Sequence, residues 1–138
     1  MLRPLLTAAI ITPFVAQLAF AQHSKPAAKR TTLSGVYTRE QANAGRDVYA
    51  GMCQSCHALA SHTGETFASW WAGKSVSDLF SFVSEKMPKN APGSLSPEEY
   101  ASVVALLLRM NGMPAGEDEL PPDTLALKRI RIELKKRA

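Results

Sequence analysis

Apolar positions take helical spacing in three parts of the chain. Val76, Leu79, Phe80 and Val83 recur at i, i+3, i+4 and i+7, which places them on one face of a helix. Ser75 or Ser77 stands where a cap is needed, and Pro88 ends the helix because the residue before it, Met87, is pushed out of helical φ/ψ. A second stripe is formed by Tyr100, Val103, Val104, Leu107 and Met110, running from Pro97 to about Asn111. Leu95-Ser96-Pro97-Glu98-Glu99 supplies its staple residue, N-cap, proline at N1 and capping-box glutamate, and Gly112 closes it. Nearer the N-terminus, Thr38-Arg39-Glu40-Gln41 reads as a capping box opening a helix through Ala42, Gly45, Val48, Tyr49 and Met52. Glycine inside a helix costs roughly 1 kcal/mol against alanine, so a close helix crossing is expected at Gly45, with Tyr49 one turn on. Between these helices, residues 58–74 hold Gly64 and Gly73 with Phe67, Trp70 and Trp71 and read as a loop wrapping something apolar. With no alternating or β-branched strand run near the centre, the pattern predicts a small all-α domain.

The two ends differ from this middle. Residues 1–21 combine Arg3, a mostly apolar run from Leu5 to Phe20 and Ala19-Phe20-Ala21, the layout of a cleaved signal peptide. The run is too short for a spanning helix and carries Thr12, Pro13 and Gln17, and no cysteine near the cut marks a lipoprotein. Residues 22–37 form a polar lead-in, residues 38–124 the compact domain, and residues 125–138 a basic tail in which Leu125, Leu127, Ile130, Ile132 and Leu134 allow a short helix.

Charge follows the same division. Of the 138 residues, 16 are basic and 12 acidic. Residues 22–39 carry four basic and no acidic side chains, residues 40–124 five and eleven, and residues 125–138 six and one. An acidic middle between basic ends, in a chain expected to be exported, argues against nucleic-acid binding. Lys128, Arg129, Arg131, Lys135, Lys136 and Arg137 are expected to steer association, because their charge lies outside the compact domain.

The chemistry is concentrated in Cys53-Gln54-Ser55-Cys56-His57, the pattern by which haem is attached covalently. Random placement of two cysteines and three histidines gives this arrangement with a chance of roughly 3 in 10,000, so the motif is specific. Cysteines three apart on a helical turn share a face and can form thioethers to the two vinyl groups of one porphyrin, which fixes His57 as an iron ligand. A structural zinc site would need four ligands, and beyond these three the mature chain offers only His23 and His62 as imidazoles. A thiol oxidoreductase built on the Cys53–Cys56 pair would need a βαβ context.

With these residues the chain resembles the class I c-type cytochromes, single-haem helical electron carriers, over most of residues 38–112. The resemblance rests on a helix running into Cys53-Gln54-Ser55-Cys56-His57, a later Met87-Pro88 and a closing helix. It implies a crossing of the first and last helices near Gly45 and Tyr49, one haem c per chain and a methionine as sixth iron ligand. The stretch from Met87 to Ser96, continuing to Asn111-Gly112, is similar to cytochromes associated with quinoprotein dehydrogenases. The family also points to Trp70 or Trp71 as a propionate partner, with aromatic packing as the alternative.

Candidates for the sixth ligand are Met52, Met87, Met110, Met113 and His62. Met52 adjoins the attachment site, Met110 lies on a helix stripe, and His62 is five residues from His57, a backbone reach of roughly 16 Å that does not comfortably round a porphyrin. Of the two Met-Pro pairs left, Met87 enters an extended loop and matches the family position, whereas Met113 follows the closing helix; Met87 is the expected ligand and Met113 the alternative. His62 and His23 read as solvated loop residues.

Histidine and methionine together would fill both axial positions and raise the reduction potential. The expectation is therefore a periplasmic carrier that moves one electron and does no bond chemistry. Its partners would be redox proteins, a donor dehydrogenase and an acceptor cytochrome or oxidase. The alternative is a haem enzyme or gas sensor with an open sixth position.

Overall fold

The computed structural model describes residues 30–135, so the signal-peptide segment and the first residues of the lead-in lie outside the described residues. Five helices carry the fold: α1 (Arg39–Met52), α2 (Gly64–Trp71), α3 (Val76–Lys86), α4 (Pro97–Met110) and the short α5 (Thr124–Leu127). Two short strands, β1 (Arg30–Thr31) and β2 (Ile130–Arg131), pair in parallel, and 3-10 turns occupy Thr32–Ser34 and Leu59–His62. Among the described residues no helix is long and apolar enough to cross a membrane.

The centre is the crossing of α1 and α4, the largest helix contact of the molecule. It needs Gly45: a Cβ there would lie 1.9 Å from the Ser102 carbonyl oxygen, so only glycine lets the two backbones approach this closely. Arg109 on α4 donates to the Asn43 side chain on α1 at 2.7 Å and fastens the same crossing. Ala101, Val104, Ala105, Leu106 and Leu108 are fully buried, and α3, with Val76, Leu79, Phe80 and Val83 buried, packs on α4 and α5.

The helix caps follow the sequence with one exception. Ser96 accepts from the Glu99 N–H while the Glu99 carboxylate accepts from the Ser96 N–H, and Ser75 and Asp78 repeat this box on α3. Met87 leaves α3 at φ −129° and ψ 149°, the extended conformation that Pro88 imposes. At α1 only half of the expected box forms. Thr38 accepts from the Gln41 N–H at 3.1 Å, but the Gln41 amide turns away to Leu120, donating to its carbonyl and accepting from its N–H, both at 2.8 Å. Gln41 is buried, and these two bonds satisfy its amide while tying the segment after α4 back onto α1.

Three expectations are corrected. The loop over residues 58–74 contains a helix, α2, which turns Phe67 into the core. The part of the lead-in within the described residues is ordered into the fold, with Thr32, Val36 and Tyr37 buried. The basic segment is no appended tail: its helix stops at Leu127, and from there Ile130 and Ile132 point inward while Arg131 and Glu133 point outward. That period of two belongs to a strand. The segment fits between the N-terminal residues and the α2–α3 turn. Arg30 and Thr31 pair with Ile130 and Arg131, the Gly73 N–H donates to Ile132 O at 2.9 Å, and the Ile132 N–H donates to Lys74 O at 2.8 Å. The Thr32 hydroxyl both donates to Glu133 O and accepts from the Glu133 N–H.

Candidate haem-binding site

Helix α1 delivers the motif. Its C-cap is Cys53, whose N–H donates to Tyr49 O, and the chain then tightens into a turn in which the N–H groups of Cys56 and His57 both donate to Cys53 O, at 3.1 and 3.0 Å. This turn brings the two cysteines and the histidine together. Cys53 is half-buried, Cys56 exposed, and both thiols are free. Burial pushes the Cys53 thiol up. Cys53 stands at the C-terminus of α1, where the backbone dipole also disfavours a thiolate, so neither influence activates it for disulfide exchange.

Two tyrosines hold the backbone of the two expected axial ligands. The Tyr49 hydroxyl, on α1, donates to His57 O at 3.1 Å. The Tyr100 hydroxyl, on α4, donates to Met87 O at 2.8 Å. Since the Met87 N–H also donates to Val83 O, both backbone polar groups of Met87 are fixed while its half-buried thioether packs at the edge of the core. Burial raises the Tyr49 pKa, with Cys53 adding to the shift, so its hydroxyl keeps its proton and remains a donor. The sequence placed both tyrosines on core stripes; a buried phenol needs a partner, but which carbonyl it takes depends on the tertiary fold.

His62 is not a solvated loop residue. It is half-buried, its ring lies 5.0 Å from that of His57 and edge-on to Tyr49 at 6.1 Å, and burial and the His57 charge lower its pKa. Its position is set by Asn111 at the end of α4. The Asn111 side chain donates to His62 O and Leu107 O and accepts from the Gly64 N–H, all within 3.0 Å, and so pins the segment between the motif and α2. Met113 lies elsewhere, buried beside the N-terminal segment with its carbonyl accepting from the Tyr37 hydroxyl at 2.6 Å. His23 lies outside the described residues.

A family model described as cytochrome c oxidase, cbb3-type, subunit III, matches residues 40–107, from the first turn of α1 almost to the end of α4. Over these residues the chain is similar to the c-type cytochrome domain of that family. Comparison with curated proteins and with solved structures gave no match.

A cytochrome domain of this kind implies haem c, and the donor set fits that group: two unpaired thiols and an imidazole on one turn, with a thioether on an ordered loop. The surrounding segments also leave large apolar side chains uncovered, Met52 at the end of α1, Trp70 on α2 and Phe82 on α3. Trp71, half-buried, packs edge-on to Phe82 at 5.5 Å.

Proposed function

We propose that the protein is an exported electron carrier holding one haem c through Cys53 and Cys56, with His57 and Met87 as the axial iron ligands. The observation that carries this reading is the pairing of the turn that presents Cys53, Cys56 and His57 with a Met87 whose backbone is fixed at both its N–H and its carbonyl. When bound, the haem supplies a reversible one-electron couple. The chain's own residues position and tune it: Tyr49 restrains His57, Tyr100 restrains Met87, and a methionine sulfur favours the ferrous state. His57 and Met87 would together hold the iron on both sides and leave no open site for oxygen or peroxide, which would separate the carrier from a haem enzyme or gas sensor.

The surface around the attachment turn suits brief encounters. From Val48 to Gly64 there is no Asp, Glu, Lys or Arg, so a partner meets a neutral face there and desolvates no charge. Contacts of that kind are small and transient. The oxidase named in the matching family supports a terminal oxidase as acceptor, and a dehydrogenase, of the quinoprotein class by the likeness of the stretch after Met87, is the proposed donor. The apolar N-terminal run supports export to the periplasm. Absorption spectra of the purified protein in both redox states, with and without carbon monoxide, test the reading. The ferrous spectrum should stay unchanged under carbon monoxide, whereas rapid formation of a carbon monoxide adduct would identify an open-site haem protein.

A further inference from the structure

We propose that a surface cleft formed by the paired chain ends and the α2–α3 turn docks a carboxylate-rich segment of a partner protein. The cleft has a volume of about 660 Å³, within the usual range for ligand clefts. Arg30 from β1, Lys74 from the α2–α3 turn, and Lys128, Arg129 and Arg131 from the C-terminal segment line it, against the single carboxylate of Glu119. Asp78, held by Ser75, lies close enough to feel the charges of Lys74 and Lys128. Even counting both carboxylates, five cations face two anions. Along the sequence these cations are separated by as many as about a hundred residues, and β-pairing of the ends gathers them at one place.

Structural duties account for only part of that charge. Arg131 donates to Gly73 O at 2.7 Å and so holds the α2–α3 turn, and Lys74 lies over the Trp71 ring at 5.0 Å. Lys128 and Arg129 follow a helix of four residues, whose dipole is too short to require two cations, and both are exposed. Five like charges in one concavity repel one another, a cost that an anionic occupant would reverse. The form of the surface selects among anions. A concavity with apolar Val36 and Ile130 in its lining admits a protruding peptide segment, while a flat lipid surface would touch only the rim. This docking site does not depend on the axial-ligand assignment, since none of its residues belongs to the haem-binding turn or the Met87 loop.

The test uses the haem-loaded mature protein, with hexaglutamate as probe, followed by amide chemical shifts at low ionic strength. Shifts should cluster at the α2–α3 turn and residues 128–132. The double variant Lys128→Glu/Arg129→Glu should weaken binding at least about tenfold, while Arg46→Glu, at an exposed position of α1, should change it less than about twofold. The double variant's melting temperature should be unchanged or higher, since repulsion is relieved. Equal weakening by Arg46→Glu, or shifts spread over all basic residues, would overturn the proposal in favour of a general charge effect. Binding to phosphatidylglycerol vesicles that depends on Lys128 and Arg129, with no localised hexaglutamate shifts, would overturn it in favour of a membrane surface.

Discussion

Truncation after Thr124 should lower the stability of the haem-loaded protein by about 5 kcal/mol or more. The removed segment contains Leu127, Ile130 and Ile132, all buried, and each fully buried aliphatic side chain contributes about 1.5–3 kcal/mol. It also carries the pairing that holds β1 and the α2–α3 turn, so Gly73 N–H and Lys74 O lose their partners. For a domain of this size such a loss approaches the whole folding free energy. Ile132→Ala alone should cost about 3 kcal/mol, being a large-to-small change at a fully buried site. Urea unfolding of the three proteins measures both effects. A truncated chain as stable as the full one would mean that the C-terminal segment is the separable tail its composition resembles.

Met87→Ala should lower the reduction potential by on the order of 0.1 V, a fraction of the roughly 0.8 V range that axial ligands cover. It should also abolish the weak ferric sulfur-to-iron absorption band and let carbon monoxide or cyanide bind. The variant should fold, because the bonds that place this residue run from its backbone to Val83 and Tyr100 and survive the loss of the side chain. Met113→Ala is the control. Its side chain is buried beside Tyr37, so the change should cost about 2–5 kcal/mol of stability and leave the band, the potential and ligand exclusion as they were. If Met113→Ala erases the band and Met87→Ala preserves it, the axial assignment falls and the carrier reading stands.

What the sequence disclosed about this fold is what local physics determines. The Ser96–Glu99 box, the break at Pro88, the four-residue recurrence in α3 and α4 and the crossing at Gly45 all depend on residues close in the chain or on one glycine's cost. The Cys53, Cys56 and His57 cluster was legible for the same reason, its three groups being fixed by one turn. Helix α2 was hidden because it is eight residues long and bounded by Gly64 and Gly73, which read as loop signals. The pairing of the ends is not legible because the alternation Ile130-Arg131-Ile132-Glu133 is short enough to pass for part of a basic helix, and the partner of β2 lies a hundred residues away. Gln41 shows the same limit at one side chain. Its capping-box position is local, whereas the pull of Leu120 is tertiary and wins. Tyr49, Tyr100 and Asn111 carry the positioning of the site through hydroxyl and amide groups whose partners only the folded chain brings within reach.

The carrier reading rests on the proposed covalent attachment of haem at Cys53 and Cys56, and a denaturing mass spectrum of protein matured with the haem-attachment machinery tests it most directly. After treatment with a thiol-alkylating reagent, the chain should appear as one species, beginning near Gln22, one haem heavier than the polypeptide and with no alkylated cysteine. A polypeptide of unmodified mass with two alkylated thiols would contradict the account and return Cys53 and Cys56 to thiol chemistry.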